Sequence, residues 1–413
     1  MRAYFLSVRN RDRQTGGRRP KYIVPGSTSS SDAVRLQTVS VWQNTAMPAE
    51  AAPSDATPPD AVPLGKLRRA LVVMLRHHGD VLLTSPVHSA LKAAAPDCEI
   101  DALVYTDTAA MVEGHPAVSE IHCIDRGWRK LGFASRLSAE LGMLRRLRAR
   151  RYDLVVHLSE SWRGAWIVRL TGARWSVAPA MSGRGRRWAR AFTHFYRKPL
   201  AGGRHMVERN LDALRRLGVP VPPGPRALTL VPDAADEARV RAMLVQHALA
   251  PKSYIHMHPT SRWMFKTWPA ERVAGLIDAL AETGLRVVLT AAPDARELAF
   301  IDTVLRATRA PAVNLSGQLS LKELGVLSRN ARLFVGVDSA PMHIAAAMAT
   351  PTVGIFGPSG EMDWGPWGVI HRIAASDHPC RPCGIDGCGG GKVSECLTTL
   401  PVERVLKACR ELL

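Results

Sequence analysis

The chain has 413 residues, 46% of them hydrophobic, and a formal net charge of +19 at pH 7. That length allows two α/β domains with apolar cores, whereas no run approaches the ~18 apolar residues of a membrane-spanning helix. The charge predicts an acidic partner, which could be nucleic acid, an anionic membrane or a phosphorylated substrate. The apolar segment in the opening MRAYFLSVRNRDRQ is too short for a secretory signal. We therefore expect a cytoplasmic protein whose cysteines are reduced.

Residues 1–65 are rich in Ser, Pro, Ala and Gly and show no sustained periodicity. Such a segment cannot bury enough apolar surface to offset the entropy of ordering. We therefore predict a disordered N-terminal extension, and we hypothesise that translation starts at Met47.

Residues 66–222 alternate short β-rich runs with helical stretches, which predicts a parallel sheet with crossover helices. The predicted strands are 70–75, 99–105, 120–125 and 153–158, and the predicted helices are 86–95, 106–114, 135–150 and 162–171. This half is expected to be an N-terminal Rossmann-like domain.

A Pro- and Gly-rich stretch at 218–232 breaks the series, and we place an interdomain linker at 223–233. Residues 234–413 then resume the alternation as a C-terminal Rossmann-like domain. Its predicted strands are 254–258, 286–290, 312–315, 332–337 and 352–356, and its predicted helices are 234–249, 269–282, 294–307, 320–328 and 340–348. Two such α/β domains would form a cleft between the carboxyl ends of their strands, where ligands of doubly wound sheets bind.

The segment RHHGD at 76–80 directly follows the first apolar run. Ser85 and Pro86 look like the N-cap and first residue of the next helix, which places Asp80 in the first β–α loop. An ionised carboxylate there can accept a proton from an attacking hydroxyl. An aspartate that only binds loop amides is an equally good reading of the spacing.

The segment HPTSRWMFKTWP at 258–269 places Lys266 in the corresponding loop of the second half. A lysine near a helix N-terminus is a suitable counterion for phosphate, although an ordinary solvated lysine gives the same pattern. Trp263 and Trp268 are expected to be packing residues.

Residues 336–360 place Asp338 and Ser339 where a strand becomes a helix, His343 one turn later, and Gly357 after the next strand. A hydrolase triad is excluded because no G-x-S-x-G turn is present. Binding of an anion and a ribose at the helix N-terminus fits better.

The loop 380–396 contains Cys380, Cys383, Cys388 and Cys396 in 17 residues. Four thiols at this spacing could hold a structural zinc, but we expect unliganded cysteines and no metal site, with zinc as the alternative. A zinc deaminase is excluded because the chain has no H-x-E motif.

Basic residues concentrate in the first half and just beyond it. Arg126, Arg129, Lys130 and Arg184 are predicted to lie in loops near strand ends, where arginines could pair with a carboxylate or phosphate. GRGRRW at 183–188 is not a dinucleotide fingerprint, because its third glycine is missing.

Together, LRHHGDVLLTSPV, HPTSRWMFKTWP, VDSAPMHIAAAM and IFGP make the chain resemble the bacterial lipopolysaccharide heptosyltransferases of glycosyltransferase family 9, most of all their heptosyltransferase III type. The resemblance covers roughly residues 66–412. It implies that residues 66–222 bind the acceptor and that residues 234–413, with the cysteine-rich loop 380–396, bind the nucleotide sugar. It implies a GT-B fold and an inverting transfer of L-glycero-D-manno-heptose from ADP-heptose to the lipopolysaccharide inner core, without a catalytic metal or other cofactor. It also implies peripheral contact with the cytoplasmic face of the inner membrane and no nucleic-acid partner.

The same resemblance implies a role for each matching residue. Asp80 would be the general base, and Lys266 would neutralise the departing diphosphate. The implied donor-binding residues are Thr260, Asp294, Asp338, Ser339, His343 and Gly357, and the implied acceptor-binding residues are Arg126, Arg129, Lys130 and Arg184. A GT-B enzyme that uses another nucleotide sugar, a basic nucleic-acid-binding protein and an inactive lipopolysaccharide-binding relative remain alternatives.

Overall fold

Alternation of apolar strands and helices builds two parallel sheets of six strands each, so the predicted fold class is confirmed. The computed structural model describes residues 58–181, 183–197, 203–221, 224 and 226–413, which belong to a single compact unit. No helix among them combines the length and the apolarity needed to cross a bilayer.

The first sheet has the strand order β3-β2-β1-β4-β5-β6. Its strands are β1 (Arg69–Val73), β2 (Glu99–Tyr105), β3 (Ile121–Ile124), β4 (Leu154–His157), β5 (Trp175–Pro179) and β6 (His194–Tyr196). Ala70 of β1 pairs with Ile100 on one side and with Leu154 on the other. Central strands of a parallel sheet are covered on both faces, which explains their continuous apolar runs.

The second sheet has the order β12-β11-β10-β7-β8-β9. Its strands are β7 (Tyr254–His258), β8 (Arg286–Leu289), β9 (Ala312–Asn314), β10 (Leu333–Val337), β11 (Thr352–Phe356) and β12 (His371–Ala375). Leu333 of β10 pairs with Ile255 of β7, and Phe334 pairs with Thr352 of β11.

Each sheet reverses its direction of growth once, and this reversal positions the site. It lies between β1 and β4 in the first sheet and between β7 and β10 in the second. Ligands bind outside the carboxyl ends of the strands at such a point. Asp80 follows β1, Lys266 follows β7 and Asp338 follows β10.

Helices cover both sheets, and several begin with side-chain caps. They are α1 (His78–Leu82), α2 (Ser85–Ala94), α3 (Phe133–Ala149), α4 (Trp162–Thr171), α5 (Gly185–Ala189), α6 (Met206–Arg216), α7 (Ala234–Gln246), α8 (Ala270–Ala281), α9 (Ala295–Ala307), α10 (Leu321–Asn330), α11 (Ala340–Ala347), α12 (Glu361–Trp364), α13 (Glu395–Thr398) and α14 (Val402–Arg410). Asp233 and Asp236 form a capping box at α7, and Ser320 and Glu323 form one at α10.

The structure differs from the sequence prediction in several elements. The predicted helix 106–114 is only a 3₁₀ turn, Thr106–Met111. Strands β5, β6 and β12 and helices α6 and α14 were not predicted. Helix α6 buries the polar residues Arg209 and Asn210, and the Arg209 guanidinium lies 2.6 Å from a carboxylate oxygen of Asp363. Because Asp363 is 154 residues away from Arg209, the local sequence pattern could not predict that Arg209 is buried.

The N-terminal extension is ordered over its last residues. The amide of Val62 donates to the carbonyl of Leu217 at 2.9 Å, and Asp60 accepts two hydrogen bonds from Arg216. The prediction of disorder is therefore wrong for residues 58–65, which pack against the end of α6. Residues 1–57, including Met47, lie outside the described residues.

Part of the predicted linker is also core. Leu228 and Leu230 are buried in one hydrophobic cluster with Leu324 and Ile344 of the second half. The same cluster contains Val72 of the first sheet. The two halves therefore share one apolar core.

Candidate functional site

RHHGD forms the start of a short helix rather than a loop. His77 is the N-cap of α1, and Asp80 occupies the third helical position. The amide of His77 donates to Asp80 Oδ2 at 3.2 Å, and Arg76 Nε lies 3.0 Å from Oδ1. Because Asp80 is only 9% exposed, its carboxylate requires such partners. The next helix begins at Ser85 with Thr84 as its N-cap, one residue earlier than predicted.

Arg126, which follows the edge strand β3, contacts this turn. Its Nη2 donates to the carbonyl of Arg76 at 2.7 Å, and its guanidinium carbon lies 3.7 Å above the ring centroid of Tyr105. Its Nε also donates to both carboxylate oxygens of Asp107. Arg126 therefore holds the residue that pairs with Asp80, and its side chain remains 38% exposed.

Lys266 and Asp338 meet across adjacent strands of the second sheet. Lys266 ends the 3₁₀ turn Met264–Lys266, and Asp338 directly follows β10. Lys266 Nζ donates to Asp338 Oδ2 at 2.6 Å, and the two side chains are 22% and 7% exposed. The carboxylate holds the ammonium at the edge of the sheet where a ligand would bind.

His343 joins the two halves of the site. An added Cβ on Gly79 would lie 3.1 Å from His343 Cδ2, so the backbone of α1 rests on this ring. Burial lowers the pKa of His343, the carboxylates of Asp338 and Asp80 oppose that shift, and the charge of Lys266 adds to it. All three charged groups therefore act on one buried imidazole, whose Nδ1 has no hydrogen-bond partner within the described part of the chain.

The rings of His77 and Trp263 make an edge-to-face contact between the two halves. The ring centroids of His77 and Trp263 are 6.4 Å apart, nearly perpendicular. Burial lowers the pKa of His77, so this ring is neutral at pH 7. Trp263 is 46% exposed, whereas Trp268 is fully buried and its Nε1 donates to the carbonyl of Leu400. Trp268 is thus the packing residue that was predicted, and Trp263 borders the cleft.

A cavity of about 420 Å³ opens beside Lys266. Its walls include Trp263 and Phe265, the segment 358–360 after β11, and the segment 382–386 of the cysteine-rich loop. Gly357 lies at its edge, where an added Cβ would lie 2.7 Å from the side chain of Leu397. Close packing therefore accounts for a glycine at this position.

Thr260 belongs to a buried polar chain. Its hydroxyl donates to Glu297 Oε2 at 2.6 Å, and Thr260 has no exposed surface. Behind it, His258 Nδ1 and His256 Nε2 lie 2.9 and 2.7 Å from the hydroxyl of Thr290. The Thr260 hydroxyl is already bonded to Glu297, so this geometry does not place it in direct contact with the nucleotide sugar.

Burial lowers the pKa of His258 to about 3 and that of His256 well below its usual range. Both rings are neutral when folded, so the unfolded state binds more protons below pH 6.5 and stability falls as the pH falls. We expect His258→Gln to make the slope of unfolding free energy against pH shallower, by about 1 kcal/mol per pH unit near pH 5.5.

Urea unfolding of wild type and variant from pH 5.5 to 7.5 measures this slope. The control is His378→Gln, because the side chain of His378 is 24% exposed whereas His258 is only 4% exposed. An unchanged slope for the His258 variant would contradict the neutral, buried state of that ring.

The remaining predicted residues lie at varying distances from this centre. Ser339 is the N-cap of α11, and its hydroxyl donates to the carbonyl of Val337 rather than to the helix. Asp294 is the exposed N-cap of α9 and accepts a hydrogen bond from the amide of Arg296. Both follow carboxyl ends of strands in the second sheet, as predicted.

The predicted acceptor arginines divide into two groups. Arg129 and Lys130 are exposed in the 3₁₀ turn Arg126–Lys130. Arg184 instead donates to the carbonyl of Glu160 at 2.8 Å and lies over the ring of Trp188. Its guanidinium therefore already has partners in the free protein, and a role for it in acceptor binding stays a prediction.

The cysteine-rich loop is held against the cavity by Arg381, which donates to the carbonyls of Gly357 and Ser376. Burial raises the pKa of Cys396 to about 11, so a free thiol there is protonated at neutral pH. The four cysteines do not bring three sulfur atoms within 4.8 Å of one another, as a tetrahedral zinc site requires. Unliganded cysteines stay the prediction for this loop, and a structural zinc stays its alternative.

Sequence reasoning did not identify Arg76, Glu297 or the position of Trp263 at the cleft. Arg76 precedes the histidine pair, so its pairing with Asp80 at i+4 was a possible signal. Glu297 (4% exposed) lies inside α9, and nothing local distinguishes it from a surface glutamate.

The chain is similar in sequence to one family of known proteins. The model of glycosyltransferase family 9 (heptosyltransferase) matches residues 141–393. Lipopolysaccharide heptosyltransferase 3 of Escherichia coli K12 is 35% identical over 343 residues, which are 82% of this chain and 96% of that protein.

Two solved structures share the fold. A glycosyl transferase family 9 structure from Veillonella parvula has a TM-score of 0.73 at 22% identity, covering 86% of this chain and 99% of its own. The E. coli heptosyltransferase WaaC with ADP-2-deoxy-2-fluoro heptose has a TM-score of 0.64 at 21% identity, covering 83% and 99%. The two-sheet architecture is thus the GT-B fold.

Proposed function

This chain belongs to glycosyltransferase family 9, the heptosyltransferases, and from that premise we propose that it transfers L-glycero-D-manno-heptose from ADP-heptose to the inner core of lipopolysaccharide, as a heptosyltransferase of type III. The observation that carries the proposal is the arrangement around His343. Gly79, the neighbour of Asp80 in the first half, packs on the ring of His343, and Lys266 of the second half pairs with Asp338 just before the helix that carries His343. A sugar between Asp80 and Lys266 would meet a base on one side and a cation on the other.

The reaction assigns a role to each charge. Asp80 accepts the proton of the acceptor hydroxyl as its oxygen attacks the anomeric carbon of heptose. The bond from that carbon to the diphosphate oxygen breaks with inversion, and its electron pair leaves with ADP. Lys266 stabilises the negative charge that develops on the diphosphate. Because diphosphate needs little protonation to leave, a single carboxylate suffices, unlike the pair in glycosidases.

Asp338 controls where Lys266 points. In the free protein the two side chains pair at 2.6 Å, which keeps the ammonium beside the start of α11. The backbone N–H groups at the start of this helix, after Ser339, are a suitable site for the diphosphate or the sugar hydroxyls. Lys266 and the helix N-terminus would then act on the same anion.

We assign residues 234–413 to donor binding and residues 66–222 to acceptor binding. The exposed Asp294 would contact the ribose, and Thr260 would act through Glu297. Arg129 and Lys130, which are free of ion pairs among the described residues, would meet the anionic inner core. Since that acceptor is anchored in lipid, the protein would work in the cytoplasm at the inner membrane surface.

The donor is tested by turnover with purified protein. Core oligosaccharide from a strain that lacks this gene should accept heptose from ADP-heptose, with GDP-mannose and UDP-glucose giving at most trace transfer. Mass and linkage analysis of the product identifies the acceptor heptose. Transfer from GDP-mannose or UDP-glucose, without transfer from ADP-heptose, would show that the proposed donor is wrong.

A further inference from the structure

The outer faces of α3 and α4, which we name the α3–α4 surface, carry a group of solvent-exposed apolar side chains. Of thirteen large apolar side chains exposed among the described residues, seven lie between residues 131 and 170. Phe133 is 84% exposed and Trp166 is 59% exposed. Contiguous exposed apolar side chains usually mark an interaction surface.

The exposed side chains follow the helical repeat rather than scattering. Phe133, Leu137 and Leu141 are spaced by four residues on α3, as are Trp162, Trp166 and Leu170 on α4. Residues at this spacing lie on one helix face. A groove of about 540 Å³ separates the two stripes, with Leu141, Trp162 and Trp166 among its walls.

The segment that carries the α3 stripe is strongly basic. Residues 126–151 contain nine arginines and lysines and one acidic residue, Glu140, which pairs with Arg163. Arg145 and Arg148 are exposed and continue the apolar stripe of α3 towards its end. Arg129 and Arg136 line the groove.

We propose that the α3–α4 surface docks the protein on an anionic lipid bilayer. Phe133 and Trp166 would enter the interfacial region, and the flanking arginines would pair with lipid phosphates while their stems lie along apolar surface. The inference deepens the proposed function, because it names the surface that brings the enzyme to a lipid-anchored acceptor. A second copy of the chain fits less well, since a two-fold contact would bring the same arginines together.

The surface is connected to the catalytic cleft through direct contacts. Tyr105 lines the groove, and Arg126 lies on its ring. Arg126 also donates to the carbonyl of Arg76, which pairs with Asp80. Docking through this surface would therefore hold the proposed base near the membrane plane, where the lipid-linked saccharide presents its hydroxyl.

Vesicle sedimentation tests the proposal without any donor or acceptor. We expect the wild type to sediment with vesicles of equimolar phosphatidylglycerol and phosphatidylcholine, and much less with phosphatidylcholine alone. The double variant Phe133→Ser, Trp166→Ser should lower the partition coefficient at least about tenfold. The control Val245→Ser removes an apolar side chain that is 76% exposed on α7 and should bind like the wild type.

Unchanged vesicle binding by the double variant, or no binding by the wild type, would overturn the proposal. So would a wild-type dimer that becomes monomeric in the double variant without any vesicle binding, because the partner would then be a second copy. Both proteins should transfer heptose to a deacylated, soluble acceptor at equal rates. If neither does while vesicle binding behaves as expected, the proposed function fails and the docking surface stands.

Discussion

Replacing Asp80 with asparagine should lower kcat by about 10²–10⁴-fold, because the acceptor hydroxyl would lose its general base. Donor affinity should stay near the wild-type value, since the groups assigned to ADP-heptose lie in the other half of the molecule. Initial rates with ADP-heptose and titration calorimetry with ADP separate the two quantities. Turnover at the wild-type rate with normal donor binding would exclude Asp80 as the base.

The alternative reading of Asp80 is a structural one, because its carboxylate caps α1 and pairs with Arg76. Asparagine keeps an oxygen that can accept the amide hydrogen of His77, so most of the cap should survive. The matched control is Arg76→Gln, which removes the ion pair and leaves the carboxylate. Arg76 is 43% exposed, so its loss should cost at most about 1 kcal/mol of stability and little activity if Asp80 acts as a base.

Replacing Lys266 with methionine should lower kcat/KM by about 10²–10³-fold, because the departing diphosphate would lose its cation. The same change leaves Asp338 buried without its partner, which should cost about 3–5 kcal/mol of stability. A loss of activity could then reflect damaged folding rather than chemistry. Initial rates and urea unfolding of the same preparations measure the two effects separately.

A second variant separates these causes. Lys266→Met combined with Asp338→Asn removes both charges, so the unfolding midpoint should return towards the wild-type value. Activity should remain low, because no ammonium faces the diphosphate. Recovery of wild-type activity in the double variant would show that Lys266 serves only to satisfy Asp338.

Strand periodicity predicted both sheets because their central strands are buried on two faces. The continuous apolar runs 70–75 and 332–337 correspond to β1 and β10. Two of the four edge strands, β6 and β12, were not predicted. β6 has three residues and β12 carries His371 and Arg372, so neither has the pattern of a buried strand.

The site shows the same division between local and tertiary information. Asp80, Lys266 and Asp338 were predicted at the strand ends, because carboxyl ends of parallel strands meet at one edge. The ion pair of Lys266 with Asp338 depends on β7 and β10 being neighbours, which follows only from the order of the strands. Likewise, the contact of Gly79 with His343 requires both halves to be folded and packed.

The account rests on one spatial claim, that Asp80 and Lys266 act on the same heptose from opposite sides. A crystal structure with a non-transferable ADP-heptose analogue and an acceptor fragment tests it most directly. We expect Lys266 Nζ at about 3 Å from a diphosphate oxygen, and the Asp80 carboxylate at about 3 Å from the acceptor hydroxyl that faces the anomeric carbon. A diphosphate bound away from Lys266, with a different residue beside the attacking hydroxyl, would contradict the account.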